Sequence, residues 1–252
     1  MKFRYQRLTT SIIMLLALLL PSTGVSYADD DDHDDDAPKV YEVTITNLTS
    51  GQPLTPPVVA THRRSLEVFE VGEDASFEVK EIAENGNNGP LLSALGSNKR
   101  VYEVLQAGMG PLVPAGAPGG ALFPDSVTFT ISAEDGAKYL SFVAMLVCTN
   151  DGFTGVDGMR LPKKVGQSVI TYTAGYDAGT EVNTEDFADI VPPCQGLIGV
   201  SSGEPGAGAS DPALAEDEDI MHHPGIQGGA DLVPGVHGWA DPVAKIVITR
   251  IH

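Results

Sequence analysis

The sequence predicts an all-β fold with minor helices, on three observations. Apolar residues come in short runs that either alternate with polar ones or stay continuous for six to eight positions, as strands do. Gly (28) and Pro (18) are abundant and aromatics make up only 6% of the chain, which favours short strands and many turns. Helical periodicity is confined to short stretches between Asp74 and Leu95. With 252 residues, a 42% hydrophobic fraction and one core-forming block, one domain is expected.

Met1 to Ala28 reads as a secretory signal peptide. Lys2, Arg4 and Arg7 form its basic region, Ile12 to Leu20 its apolar core, and Val25 to Ala28 ends in the small residues that a signal peptidase needs. The apolar run is too short for a permanent anchor. Asp29 to Asp36 is aspartate at every position but one, so residues 29–39 are expected to form an acidic, disordered N-terminal segment before a domain over 40–252. The net charge is −19, and loss of the signal takes it to about −22, which disfavours nucleic acid and anionic membranes. The expected location is extracellular or periplasmic.

In order, Val40–Thr49 alternates through Tyr41, Val43 and Ile45 and predicts a half-buried strand. It carries an N-glycosylation sequon, Asn47-Leu48-Thr49, expected to be unused. A Pro-rich loop follows, then His62, read as a structural histidine, and a short strand over Leu66–Val71. Asp74–Asn85 predicts a helix capped by Asp74, with Phe77, Val79 and Ile82 buried and Gly86 as its stop. Pro90–Leu95 predicts a second helix and Val101–Gln106 a strand. Met109–Pro124 is a Gly/Pro-rich connection. Asp125–Ala133 alternates through Val127, Phe129 and Ile131, and the turn Glu134-Asp135-Gly136 predicts a hairpin with Lys138–Cys148. Val169–Tyr172 predicts a strand beside it. Gly199–Asp219 is low-complexity and expected to be mobile, Trp239 is a packing anchor, and Val243–Ile251 is the closing strand.

Two apolar runs break into acidic, Gly-containing loops: Asn150–Gly158 and Gly175–Glu181. If their strands lie side by side, Asp151, Asp157, Asp177 and Glu181 meet at one end of the fold. Crowded carboxylates need a cation or must sit apart in water. Such oxygens suit calcium, which takes six to eight of them; the alternative is acidic residues that merely cap turns. The spacing is not that of an EF-hand.

The same residues carry a resemblance. NDGFTGVDGMRLP followed by YDAGTE resembles the spondin domain, the N-terminal module of F-spondin and mindin and of short bacterial secreted proteins made of this domain alone. The likeness extends to Tyr41–Thr49, Pro56–His62, Glu70–Gly86 and Asp241–Ile251. It implies an antiparallel β-sandwich of C2-like type with one calcium ion, held at the positions of Asp151, Asp177 and Glu181. The third of these is Asp in the animal pattern and Glu here. Asp157 is a possible further ligand.

Cys148 and Cys194 are the only cysteines. In a secreted chain they suggest one disulfide, the alternative being two buried thiols. His222, His223 and His237 invite a transition-metal reading, but no regular spacing supports it. The leading function is a non-catalytic, calcium-binding module for extracellular adhesion or recognition, with a protein or glycan partner. One alternative is a secreted hydrolase using the loop carboxylates or His222, His223 and His237. Another is a structural envelope or matrix component. No G-x-S-x-G, H-E-x-x-H or Cys-His signature supports an enzyme.

Overall fold

The computed structural model describes residues 37–252; the signal peptide and the acidic run Asp29–Asp36 lie outside the described residues. The strands are β1 (Lys39–Asn47), β2 (Val58–His62), β3 (Val101–Gln106), β4 (Ser126–Ala133), β5 (Tyr139–Met145), β6 (Gly152–Arg160), β7 (Ser168–Thr173), β8 (Gly175–Asp177), β9 (Met221–His222) and β10 (Ala244–Arg250). The helices are short: α1 (Phe77–Asn85), α2 (Gly89–Ser97), α3 (Pro193–Ile198) and α4 (Pro234–His237). The strands form two antiparallel sheets, one ordered β4-β1-β10-β7 and the other β3-β2-β5-β6-β8-β9. The fold is therefore an all-β sandwich with minor helices.

Sequence pattern decides which strand joins which sheet. In β1, Tyr41, Val43 and Ile45 are buried while Glu42 is exposed, and β10 buries Ala244, Ile246 and Ile248 in the same rhythm. These alternating strands suit a sheet with one wet face. By contrast β2 is buried throughout and β5 nearly so. Such strands need cover on both faces. One face packs against the first sheet, where Val59, Leu140, Phe142 and Ala144 meet Val43, Ile45, Ile131 and Ile246. The other is covered by α1 and α2, whose Val79, Ile82, Ala83, Leu91 and Leu95 pack on Val58, Ala60, Val143, Met145 and Phe153.

Several expectations are corrected. Glu134-Asp135-Gly136 does not close a hairpin: β4 pairs with β1, and the chain crosses to the other sheet, where β5 pairs with β2 and β6. β4 alternates and lies at the edge of the four-stranded sheet, whereas β5 is buried on both faces in the middle of the other. For the same reason β7 is not beside β5 but at the edge of the four-stranded sheet, against β10. The stretch read as an acidic loop is mostly strand β6. Leu66–Val71 forms no strand. Helix α1 starts later than predicted, with Ser76 Oγ accepting from the Val79 N–H as its cap, and leaves Phe77 63% exposed. Gly86 does end it, in a left-handed conformation. Asn47 of the sequon is buried, its amide donating to the carbonyls of Gln52 and Leu112, so it is spoken for by the fold.

A third apolar cluster lies beneath a disulfide. Cys148 and Cys194 are bonded, as expected, and pack with Val147, Phe187, Ile190, Leu197 and Leu232. Trp239 anchors this cluster to the main core. Gly199–Asp219 contains no helix or strand, yet its backbone is tied down by Ala207 N–H donating to the Ile190 carbonyl and Glu218 N–H to the Gly179 carbonyl. Among the described residues no helix is long and apolar enough to cross a membrane.

Candidate functional site

Strand pairing, rather than neighbouring loops, brings the predicted acids together. Asp151 immediately precedes β6 and Asp177 ends β8, and Gly152 lies opposite Asp177 in the β6–β8 ladder. The Ala178 N–H donates to the Asp151 carbonyl at 3.2 Å, closing the corner. Glu181 follows three residues after Ala178, fixed by a bridge to Ala215. All three carboxylates are out of water: Asp151 is 0% exposed, Asp177 and Glu181 4% each.

Each is partly satisfied. Asp151 Oδ2 accepts from the backbone N–H groups of Thr180 (2.7 Å) and Glu181 (3.0 Å), whereas its Oδ1 is buried with no partner. Asp177 accepts from Gly179 N–H and from the Asn183 amide, and Glu181 Oε1 from Asp211 N–H. Gly179 makes this corner possible. Its φ is +67°, and a Cβ there would stand 2.2 Å from the Glu218 carbonyl oxygen. Gly179→Ala is therefore expected to destabilise the chain by about 2 kcal/mol or more, read from denaturant unfolding. A change within experimental error would mean that the Glu218 segment moves aside freely.

A fourth acid joins them that the sequence did not reveal. Glu84, in the last turn of α1, is 5% exposed, and neither of its oxygens has a hydrogen-bond partner. Lys80 Nζ stands 3.4 Å from Oε1 as an ion pair, out of line for a hydrogen bond. Burial pushes Asp151 up to about 7, helped by the charges of Asp177 and Glu84 and opposed by its two backbone donors. Glu181 is likewise raised to about 7 by burial, with Glu84 and Asp189 adding and the Asp211 N–H subtracting. These acids act on one another, yet among the described residues no group of three His, Cys, Asp or Glu side chains is gathered closely enough to hold a metal ion. Asp151 Oδ1 is left without a partner, while Glu84 has only its ion pair with Lys80.

Asp157 is held elsewhere. It sits midway along β6, accepting from Ser141 Oγ at 2.7 Å and Val68 N–H at 3.0 Å. The histidines do not converge either. His222 is exposed on β9 beside Tyr176. His223 Nδ1 accepts from Gly225 N–H, its ring lies 5.0 Å from Trp239, and burial lowers its pKa against the pull of Asp177 and Glu185. His237 is fully buried, accepts from Val233 N–H and packs on Phe187. His62, also buried, bridges the Arg63 carbonyl and Ser141 Oγ. Glu185 is a second residue the sequence concealed. At φ +59° it accepts from the backbone N–H groups of Gln227, Gly228 and Gly229, pinning that loop beneath the acidic corner.

No curated protein matches the sequence. A sequence model of the Spondin_N family matches residues 39–188, more than half of the chain, and the match contains Glu84, Cys148, Asp151, Asp177 and Glu181 but not Cys194 or β10. With a two-sheet sandwich and that match in agreement, the chain belongs to the Spondin_N family, a family of extracellular modules.

Proposed function

We propose that the protein is a secreted, non-catalytic module that binds one calcium ion and serves extracellular adhesion or recognition through a protein or glycan partner. The observation that carries the reading is the Asp151 carboxylate, fully buried with one oxygen unpartnered beside Asp177. A lone buried carboxylate is costly, and a hard cation with oxygen preference removes that cost. Asp151, Asp177 and Glu181 would hold the ion, and Glu84 supplies a fourth carboxylate nearby. Asp157, committed to Ser141 and Val68, stays outside the set. The ion, when bound, neutralises this corner and fixes the turn from β8 to Glu181. The disulfide fits an oxidising compartment, and the Met1–Ala28 signal is taken to be cleaved near Ala28.

Thermal unfolding of the full chain with calcium and with chelator tests this. A saturating ion is expected to raise the melting temperature by several degrees, at about 2–4 °C per kcal/mol of added stability. Asp177→Asn keeps the acidic N-terminal run but is expected to abolish the rise. No calcium response in the wild-type chain would sink the proposal, and an equal response in both chains would put the ion elsewhere.

A further inference from the structure

The geometry points to a second binding site, at the far end of β6 from the acidic corner: a pocket that takes a compact oxyanion group, sulfate, phosphate or carboxylate, carried on a saccharide. It stands apart from the calcium reading. Gly152 begins β6 beside Asp177 and Arg160 ends it opposite Tyr139, a strand of nine residues, so roughly 25–30 Å separates the two ends.

Five cationic side chains border a cavity of about 320 Å³ there: Lys39 at the start of β1, Lys138 just before β5, Arg160, Lys163 beyond it, and Arg250 at the end of β10. The chain has 34 acidic residues and only 15 Lys and Arg, so gathering a third of its cations at one cavity is not a consequence of composition. One carboxylate lines the same cavity, Asp135, paired with Lys39. Among the described residues Lys138, Arg160 and Lys163 make no side-chain ion pair or hydrogen bond. In a chain this rich in carboxylates, cations left without partners around a concavity are available to a ligand. The Arg250 guanidinium donates to the Lys163 carbonyl and to the main-chain oxygen of His252, which fixes its direction. Buried Tyr41, Leu161 and Pro162 form a dry floor, where a charge pair is worth more than in open water.

The same features select the ligand. The cations come from five separate segments around a hollow, so they fit a compact group rather than a line of charges. Beyond a Debye length of about 8 Å the field is that of a chain with net charge −19, which repels long polyanions such as nucleic acid. Of the strands that reach the pocket, β1, β10 and β5 are paired on both sides, whereas β6 beyond Thr154 is paired with β5 alone. The cations are side chains from five segments set around the hollow and not along that single edge, so recognition in the hollow rests on side chains. A charged group on a sugar meets those conditions.

Calorimetric titration of the full chain, in chelator and at fixed ionic strength, tests the site. The probes are a sulfated disaccharide, its desulfated counterpart, sodium sulfate and a hexa-aspartate peptide. The sulfated disaccharide is expected to bind more tightly than free sulfate, and the desulfated sugar not to bind. K138E/R160E should weaken the disaccharide at least tenfold while leaving the melting temperature and the calcium response unchanged. Lys163→Glu, in an exposed loop, repeats the test should the double variant fold poorly. Absence of binding, equal binding by the variants, free sulfate binding as tightly as the disaccharide, or preference for the aspartate peptide would each overturn the proposal.

Discussion

Replacing Cys148 and Cys194 together by alanine is expected to lower the unfolding free energy by about 4 kcal/mol. The two cysteines are 46 positions apart, and the chain-entropy model puts closure of such a loop near that figure. The bond does more than close a loop. Cys148 lies three residues before Asp151, its N–H donates to Gln52 Oε1 and its carbonyl accepts from Gln52 Nε2. Cys194 is the second residue of α3, whose Leu197 and Ile198 pack in the small third cluster with Val113. Alanine keeps that cluster apolar, so the loss reports the cross-link rather than a buried polar group. Urea unfolding should show a lower midpoint, and the melting temperature should fall by roughly 8–16 °C. The two sheets hold themselves by ladders that do not involve either cysteine, so the variant should still fold in the cold. A loss below about 1 kcal/mol would mean that packing alone fixes α3 and that the bond adds no constraint to the unfolded chain.

What could be read from the sequence follows from how local each signal is. β1, β4 and β10 alternate cleanly, and their burial follows that alternation almost residue for residue. The bond between Cys148 and Cys194 followed from secretion and an even count. The pairing of β4 and β5 was not legible, because a turn such as Glu134-Asp135-Gly136 looks the same whether the chain returns in its own sheet or crosses to the other. β6 was hidden by composition. Asp157, Gly155 and Gly158 resemble a loop, yet a Cβ at Gly155 would stand 2.3 Å from the Phe142 carbonyl, so glycine is there to let two strands approach. Asp151 and Asp177 are neighbours through β6 against β8 rather than β5 against β7, and Glu181 follows in the next turn, although among the described residues no three acids are gathered closely enough to hold an ion. Glu84 left one faint trace. It is an acid in the last turn of a helix that has no basic residue there, where the helix dipole disfavours negative charge. Such a placement is unfavourable for the helix, offset only by the ion pair with Lys80 one turn back.

The same unfavourable placement sets the second large effect: in chelator at pH 8, Asp151→Asn is expected to be more stable than the wild-type chain by about 4 kcal/mol. Burial, with Asp177 and Glu84 close by, raises the folded-state pKa of Asp151 from an ordinary 3.8 to about 7. A group raised on folding contributes stability that is fully present below its unfolded pKa and lost as pH rises through its folded one. Asp151 therefore costs the metal-free chain nothing at pH 3 and about 4 kcal/mol by pH 8, three pKa steps at 1.36 kcal/mol each. Glu181, raised chiefly by burial, acts in the same direction, opposed by the Asp211 N–H and the charge of Lys80. His223 and His237, both lowered by burial, act the other way, with stability present above their ordinary range and lost as pH falls. Because these oppose one another between pH 4 and 7, the wild-type curve alone is ambiguous, whereas the difference between wild type and Asp151→Asn isolates one carboxylate. Asparagine keeps the shape and can still accept from Thr180 and Glu181 N–H, so the difference should vanish near pH 3 and grow through pH 7. Equal stability at pH 8 would show that Asp151 ionises in the fold at no cost and needs no cation. Calcium should narrow this gap at pH 8 as its concentration rises and reverse the order above about a thousand times its Kd, where binding adds about 4 kcal/mol, leaving Asp151→Asn where it was. A carboxylate that weakens the metal-free fold and strengthens the loaded one is retained for the ion, and that reversal is what separates a binding site from an acidic turn.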